Sequence, residues 1–368
     1  MNYKTIIFIL NSIQIQRVVK RINSFCDAGY PIEVFAFSRL GDDPCPLKTR
    51  FEYEVIGEFP NQMSYLSRLS YMRKCIKAKA DYINKKDAIL YIFGLDAAIV
   101  TRSVLKAPYV YEEADLVHTY IPNAMVRWCL EKMDVKIIKK SLLTVLTSEG
   151  FMDYHFGKKR PSNLLEVSNK LNQAVTNCPI LEKQPLDINH LKIGFVGSFR
   201  FNAVINFCKV FVENFPQHEL HVFGTMPENS PARPLLEKEN FVFHGPFKNP
   251  NDLPSIYSQI DLSLSTYDAD TVNARYAEPN KLYEAIYFET PIIASSNTFV
   301  ADKVRRMGIG FDIDASNDNE VISFVEMLTE EKINSVVAHI KSIDKKEAIN
   351  DNSELFKKVN EVVKTTRC

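Results

Sequence analysis

Lys281 and Glu284 lie three residues apart in a segment that reads as a loop, a helix and then a strand. Pro279 and Asn280 come directly before them, and proline is favoured in the first helical turn, where its missing N–H costs nothing. The spacing predicts that the lysine and the glutamate share one face near the helix N-terminus. A lysine beside free N–H groups and the positive end of a helix dipole suits a phosphate. A carboxylate one turn further on suits a pair of sugar hydroxyls, so the segment suggests a nucleotide-sugar site.

A second phosphate-directed feature is the turn after the predicted strand at residues 191–197. Gly197 ends that strand, Ser198 and Arg200 lie in the turn, and a helical pattern with one apolar face follows. Strand, glycine turn and helix together form the geometry in which phosphates meet backbone N–H groups. Simpler interpretations exist for both features. Arg200 could be a solvated loop residue, and Lys281 and Glu284 could be an exposed helical pair that stabilises the helix by about 0.2–0.5 kcal/mol.

Three ionisable side chains follow a short predicted strand at Tyr109–Tyr111, namely Glu113, Asp115 and His118. Ligands bind at the carboxyl edge of an open α/β sheet, so each could act as a base or orient an acceptor hydroxyl. A helix N-terminus capped by acids explains the same residues equally well. The sequence does not choose among the three.

Asp268 and Asp270 form a DxD sequence, and two carboxylates at this spacing can ligate one hard cation. The pattern is common by chance, and here it lies in a late loop before the helix that carries Lys281. We therefore expect no metal site at these residues.

The composition excludes several classes of protein. The chain has 368 residues, equal numbers of basic and acidic side chains (45 each) and 46% hydrophobic residues. Zero net charge offers no bulk field for nucleic acid, and the length favours two domains. The seven dispersed cysteines, Cys368 included, indicate reduced thiols in a cytosolic protein. The short N-terminal apolar run predicts a first strand rather than a signal peptide, and no run is long enough for a membrane span.

Short apolar runs alternate with helical patterns, which predicts doubly wound parallel sheets. The first series contains strands at Ile6–Leu10, Ile32–Phe37, Ile89–Phe93, Tyr109–Tyr111 and Leu142–Thr147, and helices at Gln16–Ala28 and Tyr65–Asn84. The second series contains strands at 191–197, Glu219–Phe223, Phe241–Phe243, Leu262–Ser265 and Ile292–Ser295. The polar segment Asn172–His190 between the two series is predicted to be a linker.

These patterns predict two Rossmann-like α/β domains. The predicted domains span residues 1–172 and 190–350, and residues 351–368 form a final helix without a sheet partner.

The motif order of the second half resembles that of the GT-B glycosyltransferases, in particular the family 4 type that builds bacterial surface polysaccharides. The supporting segments are Gly194–Arg200, Phe243–Phe247, Leu253–Leu262, Pro279–Glu284, Thr290–Ser295 and Gly308–Asp312. The resemblance covers residues 191–314 specifically and is weak before residue 140. It implies two Rossmann-like domains that face each other across a cleft, with the C-terminal helix crossing back to pack toward the first domain.

The resemblance also implies roles for individual residues. The nucleotide would sit mainly on the C-terminal domain, with Glu284 at the ribose and with Lys281 and Arg200 at the diphosphate. Gly245 and Phe247 would lie near the base. The remaining candidates are Gly197, Ser198, Pro279 and Asn280 on the donor side, and Glu113, Asp115 and His118 on the acceptor side.

The chain departs from the family pattern at several positions. Tyr276 stands where many members carry a second glutamate, and Glu289 replaces a glycine that is common before the Thr-Pro step. Ala114 stands where a histidine is often found, and Asn11–Gln16 replaces the usual glycine-rich turn after the first strand.

The resulting expectation is a bacterial, cytoplasmic, metal-independent glycosyltransferase of polysaccharide biosynthesis that needs no cofactor besides its nucleotide-sugar co-substrate. The acceptor would be a glycan or a lipid-linked glycan, no nucleic acid would bind, and the stereochemical course would be retaining. A sugar-nucleotide epimerase and a non-catalytic glycosyltransferase-like subunit are the alternatives. The apolar stripe on the helix at residues 65–84 is predicted to pack inward, with contact to the inner face of a membrane as the other interpretation.

Overall fold

The computed structural model describes residues 4–45 and 47–365, so Cys368 lies outside the described residues. The chain divides into two compact units, one made of residues 1–167 and 351–368 and the other of residues 168–350. The six described cysteines are free thiols. Within the described ranges, no helix combines the length and the hydropathy that a membrane span requires.

The first unit is built on seven described parallel strands. They are Thr5–Leu10 (β1), Ile32–Leu40 (β2), Glu54–Pro60 (β3), Ala88–Phe93 (β4), Tyr109–Glu113 (β5), Leu143–Leu146 (β6) and Leu164–Glu166 (β7). Their order in the sheet is β3-β2-β1-β4-β5-β6-β7. Because the order reverses between β1 and β4, the carboxyl ends of these two strands form the topological switch point. Every residue of β4 is buried, as expected for a central strand covered on both faces.

The helices that cover this sheet are amphipathic or largely buried. They are Gln16–Asp27 (α1), Tyr65–Asn84 (α2), Leu95–Val104 (α3), Ala124–Lys140 (α4) and Glu149–Phe156 (α5), with a 3₁₀ turn at Val117–Tyr120. In α2, the inward face buries Met72, Ile76 and Ile83, whereas Leu66 is exposed. Most of the predicted apolar stripe therefore packs against the first sheet.

The second unit has six described parallel strands in the order β10-β9-β8-β11-β12-β13. They are Lys192–Ser198 (β8), Glu219–Thr225 (β9), Phe241–Gly245 (β10), Leu262–Ser265 (β11), Ile292–Ser295 (β12) and Gly310–Ile313 (β13). Its helices are Asn202–Asn214 (α6), Leu253–Ser258 (α7), Val272–Tyr276 (α8), Lys281–Tyr287 (α9), Phe299–Met307 (α10), Asp318–Glu326 (α11) and Glu330–Ser342 (α12). The order reverses between β8 and β11, which places the switch point of this sheet at their carboxyl ends.

The last helix, Ser353–Thr365 (α13), returns to the first unit. Leu355, Val359 and Val363 join the core on the face of the first sheet that α1 covers. The Tyr30 hydroxyl lies 3.0 Å from the Asn360 side-chain oxygen, and the Tyr30 ring packs on Phe356. The prediction of a terminal helix that crosses back to the first domain is confirmed.

The two-sheet α/β architecture predicted from the sequence is also confirmed. Helix α2 and strands β11 and β12 begin and end at the predicted residues. The sequence interpretation did not predict three strands, all at or next to a sheet edge, which are β3, β7 and β13.

Candidate functional site

The turn at the end of β8 requires two glycines. Gly197 has a φ of +142°, a conformation that side chains rarely adopt. A Cβ on the neighbouring Gly224 of β9 would lie 1.9 Å from the Gly197 carbonyl oxygen. Close approach of these two backbones therefore excludes a side chain at Gly224, whereas at Gly197 the backbone conformation disfavours one.

Lys281 reaches from the start of α9 to this glycine turn. Its Nζ would lie 3.1 Å from a Cβ on Gly197, and it donates a hydrogen bond to the Tyr267 hydroxyl at 3.1 Å. The ammonium also lies over the rings of Phe195 and Tyr267, at 5.1 and 5.6 Å from their centroids. It forms no ion pair with any described carboxylate of its unit. An unpaired cation thus lies at the switch point of the second sheet, where ligands bind in open α/β sheets.

Glu284 lies one turn further along α9 and is only 4% exposed. It accepts a hydrogen bond from the buried Tyr257 hydroxyl at 2.6 Å. Burial raises the pKa of Glu284, while the positive charge of Lys281 acts in the opposite direction. Tyr257 is in turn held by stacking on Phe288, with the ring centroids 4.9 Å apart.

Ser198 and Arg200 are both exposed, and the Arg200 guanidinium lies over the Phe201 ring at 5.1 Å. The N-terminus of α6, which follows, already holds a carboxylate of the protein: the Ala203 N–H donates to Asp268 at 2.8 Å. An acid at this position stabilises the positive end of the helix dipole. In this structure Asp268 therefore caps α6, whereas Asp270 is exposed.

The other donor-side candidates lie around this centre. The Pro279 carbonyl accepts the backbone N–H of Leu282, and Asn280 is the N-cap of α9, so the helix begins two residues after the predicted proline. Gly245 ends β10 with a φ of +77°. Phe247 is half-buried and packs against the core that contains α9. No hydrogen bond or ring contact links either of these two to Lys281 in the described residues.

Glu278 is occupied within the unit. It is buried and accepts hydrogen bonds from Lys303, at 2.7 Å, and from Tyr283. Tyr276 is half-buried at the end of α8.

The acceptor-side candidates separate by burial. Asp115 is exposed, whereas Glu113 and His118 have no solvent exposure. Burial raises the pKa of Glu113 to about 8. Of these three candidates, Asp115 alone has a solvent-exposed side chain in this conformation.

Glu113 and His118 belong to a buried polar cluster that the sequence interpretation did not recognise. Asp134 of α4 joins them, and each of the three residues offers one donor atom within 4.8 Å of the other two. Burial, and next the negative charge of Glu113, raise the pKa of Asp134 to about 7. The sequence signal was weak, because Asp134 lies 16 residues beyond His118 among other charged residues of a helix.

The neighbouring residue on β5 has a different partner. Successive residues of a strand point to opposite faces, and Glu112 forms an ion pair with Arg21 of α1 at 3.1 Å. Tyr91 donates its hydroxyl hydrogen bond to the same carboxylate, and Arg21 also contacts Asn352. All of these contacts lie within the first unit.

Comparison with known proteins gives structural matches only. No family model matches the chain, and no curated protein matches it at a significant level. Sucrose-phosphate synthase from Thermosynechococcus elongatus is 13% identical with a TM-score of 0.69, and the match covers 99% of each chain. Anabaena HepE in complex with UDP and glucose is 15% identical with a TM-score of 0.67 over the full length of both chains. The apo form of the lipopolysaccharide outer core galactosyltransferase WaaB is 13% identical with a TM-score of 0.62, over 98% of this chain and 99% of WaaB.

These matches span essentially the whole chain, both sheets included. At 13–15% identity they establish architecture and not activity. The chain therefore has the GT-B fold.

Proposed function

We propose that this protein is a glycosyltransferase that moves a sugar from a nucleotide-sugar donor to a glycan or lipid-linked acceptor in polysaccharide biosynthesis. The observation that carries the proposal is the position of Lys281. Its ammonium has no carboxylate partner among the described residues and lies against the glycine turn at the switch point of the second sheet. An anionic ligand at this point would supply the missing counter-charge.

Each donor-side residue has a role that follows from its chemistry. Lys281 and the exposed Arg200 would neutralise the diphosphate, whose negative charge increases as the bond to the sugar breaks. Two cations at that point remove the need for a metal ion at the diphosphate. Glu284 would accept hydrogen bonds from the ribose hydroxyls, while Tyr257 fixes the orientation of its carboxylate.

The remaining donor-side residues shape the site. Gly197 and Ser198 would bring backbone N–H groups close to the phosphates, and Pro279 and Asn280 would set the direction of the first turn of α9. Gly245 and Phe247, at the end of β10 and beyond it, would line the base.

The acceptor would bind to the first unit. Resemblance to family 4 supports a retaining reaction, which demands little base catalysis. In an inverting reaction a carboxylate would have to take the acceptor proton, and the exposed Asp115 would then be the candidate. A lipid-linked acceptor would place the enzyme at the cytoplasmic face of a membrane.

The test is a thermal-shift screen against UDP, GDP, dTDP, CMP and their sugars, followed by analysis of the products. One nucleotide should stabilise the protein, by about 2.7 kcal/mol at 100 times its dissociation constant. Lys281→Ala should lose this response, whereas Lys209→Ala, at an exposed position of α6, should keep it. No stabilisation by any nucleotide would contradict the donor site.

Product analysis separates the alternatives. A transferase releases the nucleoside diphosphate and forms a new glycosidic bond only when an acceptor is present. A sugar-nucleotide epimerase converts its substrate without any acceptor. A non-catalytic subunit would bind the nucleotide and leave its sugar unchanged under both conditions.

A further inference from the structure

Three buried side chains from three separate elements of the first unit converge on one point. Glu113 ends β5, His118 lies in the 3₁₀ turn at Val117–Tyr120, and Asp134 lies in the middle of α4. None of the three has any solvent exposure. Two acids and a histidine buried together require compensation, because burying an unpaired charge or polar atom costs several kcal/mol.

Each of the three side chains has one polar atom fixed by a neighbouring residue. The pairs are Glu113 Oε2 with His155 Nε2 at 2.9 Å, Asp134 Oδ1 with the Tyr111 hydroxyl at 3.0 Å, and His118 Nε2 with the Tyr154 hydroxyl at 3.2 Å.

Among the described residues, the second polar atom of each side chain has no well-formed hydrogen bond from outside the group of three. These atoms are Glu113 Oε1, His118 Nδ1 and Asp134 Oδ2. Metal ligands have this arrangement, because an outer hydrogen bond on one atom fixes the orientation of the other atom, which faces the metal. With its Nε2 proton donated to Tyr154, His118 would present an unprotonated Nδ1, as a metal ligand must.

The separations fit a small divalent ion. His118 Nδ1 and Asp134 Oδ2 lie 3.4 Å apart, which is long for a hydrogen bond. Donor atoms about 2.0–2.1 Å from a tetrahedral Zn²⁺ are separated by about 3.3–3.4 Å. The three residues offer donor atoms that all lie within 4.8 Å of one another, so the remaining pairs would move closer together when the ion binds.

Charge and donor type support the same ion. Two carboxylates and a neutral imidazole balance the charge of a divalent cation, so the buried site would be neutral. Imidazole combined with carboxylate suits zinc-type first-row ions better than Mg²⁺ or Ca²⁺, which take oxygen ligands.

We propose that Glu113, His118 and Asp134 bind one structural divalent transition-metal ion, of which Zn²⁺ is the expected example, with a water molecule as the fourth ligand of the tetrahedron. The ion would tie the end of β5 to the 3₁₀ turn and to α4. Since the ligands are fully buried, the ion would enter as the unit folds and would stabilise the fold. It takes no part in the proposed sugar transfer.

The experiment measures metal content and Co²⁺ spectra of the full-length protein. Wild-type protein, produced without a polyhistidine tag in zinc-supplemented medium, should carry about one zinc per chain, and Co²⁺ should give the visible absorption of a tetrahedral site. Asp134→Asn and His118→Gln should each reduce bound zinc at least about tenfold. Glu112→Gln is the matched control: it alters an equally buried glutamate of the same strand and should keep the zinc.

The wild-type measurement decides the question even if the variants do not fold. Wild-type protein with less than about 0.1 zinc per chain, and without Co²⁺ absorption after refolding with Co²⁺, would overturn the proposal. Such protein would show the infrared carbonyl stretch of a protonated carboxylic acid, because the two carboxyl groups would then share a proton. Metal retained in both Asp134→Asn and His118→Gln would overturn it as well.

Discussion

The two sheets have the same kind of switch point but use their charged residues differently. In the second unit, Lys281 lies against the Gly197 turn without a carboxylate partner. In the first unit, the equivalent position holds the Asn11 side chain, whose Nδ2 would lie 2.9 Å from a Cβ on Gly94. The nearby Arg21 is buried and paired with Glu112.

The difference separates charges that stabilise the fold from charges available to a ligand. A buried ion pair with further hydrogen bonds is satisfied within the protein, and removing one partner leaves an uncompensated charge. A half-exposed cation without a partner contributes little to the fold, so its loss should affect binding alone. This contrast can be tested residue by residue.

The largest effect is expected from Arg21→Leu. The change leaves the fully buried Glu112 carboxylate without its cation, and we expect the free energy of unfolding to fall by about 3–5 kcal/mol. Urea unfolding measures this loss. The double variant Arg21→Leu/Glu112→Gln should be less destabilised than Arg21→Leu alone. A loss below about 1 kcal/mol in the single variant would show that the pair resembles a surface ion pair.

The second prediction compares two buried glutamates at pH 7. Because burial raises the pKa of Glu284 above its ordinary value of 4.5, the folded state holds this proton more tightly than the unfolded state does. The resulting stability is complete below pH 4.5 and is lost as the pH rises through the folded pKa. Glutamine does not ionise, so Glu284→Gln does not suffer this loss of stability. The free energy of unfolding of the variant, relative to wild type, should therefore increase as the pH rises above 4.5.

Glu112→Gln should instead lower the free energy of unfolding at pH 7, since it breaks the ion pair with Arg21. Urea unfolding of both variants at acid and neutral pH provides the comparison. Glu284→Gln should also weaken nucleotide binding by about 10- to 150-fold, as expected when hydrogen bonds to a charged group are lost. Destabilisation by Glu284→Gln at pH 7 would show that its hydrogen bond from Tyr257 outweighs the cost of burial.

The third prediction uses two glycines with positive φ. Gly197→Ala and Gly29→Ala each place a Cβ on a backbone that disfavours it, at φ of +142° and +75°, and should each cost about 1–2 kcal/mol of stability. Only the Cβ at Gly197 would contact Lys281, because Gly29 has no heavy atom within 4 Å of that position. Gly197→Ala alone should therefore lose nucleotide-induced stabilisation in a thermal-shift assay. Equal nucleotide responses from the two variants would contradict a role for this turn.

The smallest effect is expected at Glu289. This residue follows α9 with a φ of +54°, and the Thr290 N–H donates to the Ala285 carbonyl at 2.9 Å, as in a Schellman motif. Glu289→Gly should relieve the left-handed strain and raise stability by about 0.5–1 kcal/mol, despite losing the ion pair with Lys345. Glu289→Ala, which keeps the Cβ and also lacks the ion pair, should give no gain in thermal unfolding. Equal stabilities of the two variants would contradict the strain.

Much of the fold could be predicted because periodicity is a local property of the chain. The strands Leu262–Ser265 and Ile292–Ser295 are short apolar runs bounded by polar residues, and both occur as predicted. The edge strand Glu54–Pro60 was missed because it contains no continuous apolar run, since three of its seven residues carry a charge or a proline ring. The glycine that the family pattern has at position 289 also has a local explanation. The residue there ends α9 in the left-handed conformation, which glycine adopts without strain.

The candidate site could be predicted only in part. Lys281 and Glu284 were identified from their spacing, and the structure places Lys281 beside Gly197. Tyr257 and Tyr267, which hold the two charged side chains, carry no sequence signal of their own. Tyr257 lies in α7 and Tyr267 follows β11, so their roles depend on how these two elements pack against α9.

By itself, the sequence determined the two parallel sheets, the last helix and the lysine–glutamate pair, since hydrophobic period and residue spacing are local. The return of that helix to the first domain was implied only by the resemblance to GT-B enzymes. Only the tertiary structure decided which acids are exposed. Glu112, Glu113 and Asp115 lie within four residues, yet one pairs with Arg21, one joins His118 and Asp134, and one faces solvent. The partners of a side chain come from distant segments, and burial, which sets the cost of its charge, exists only after those segments pack.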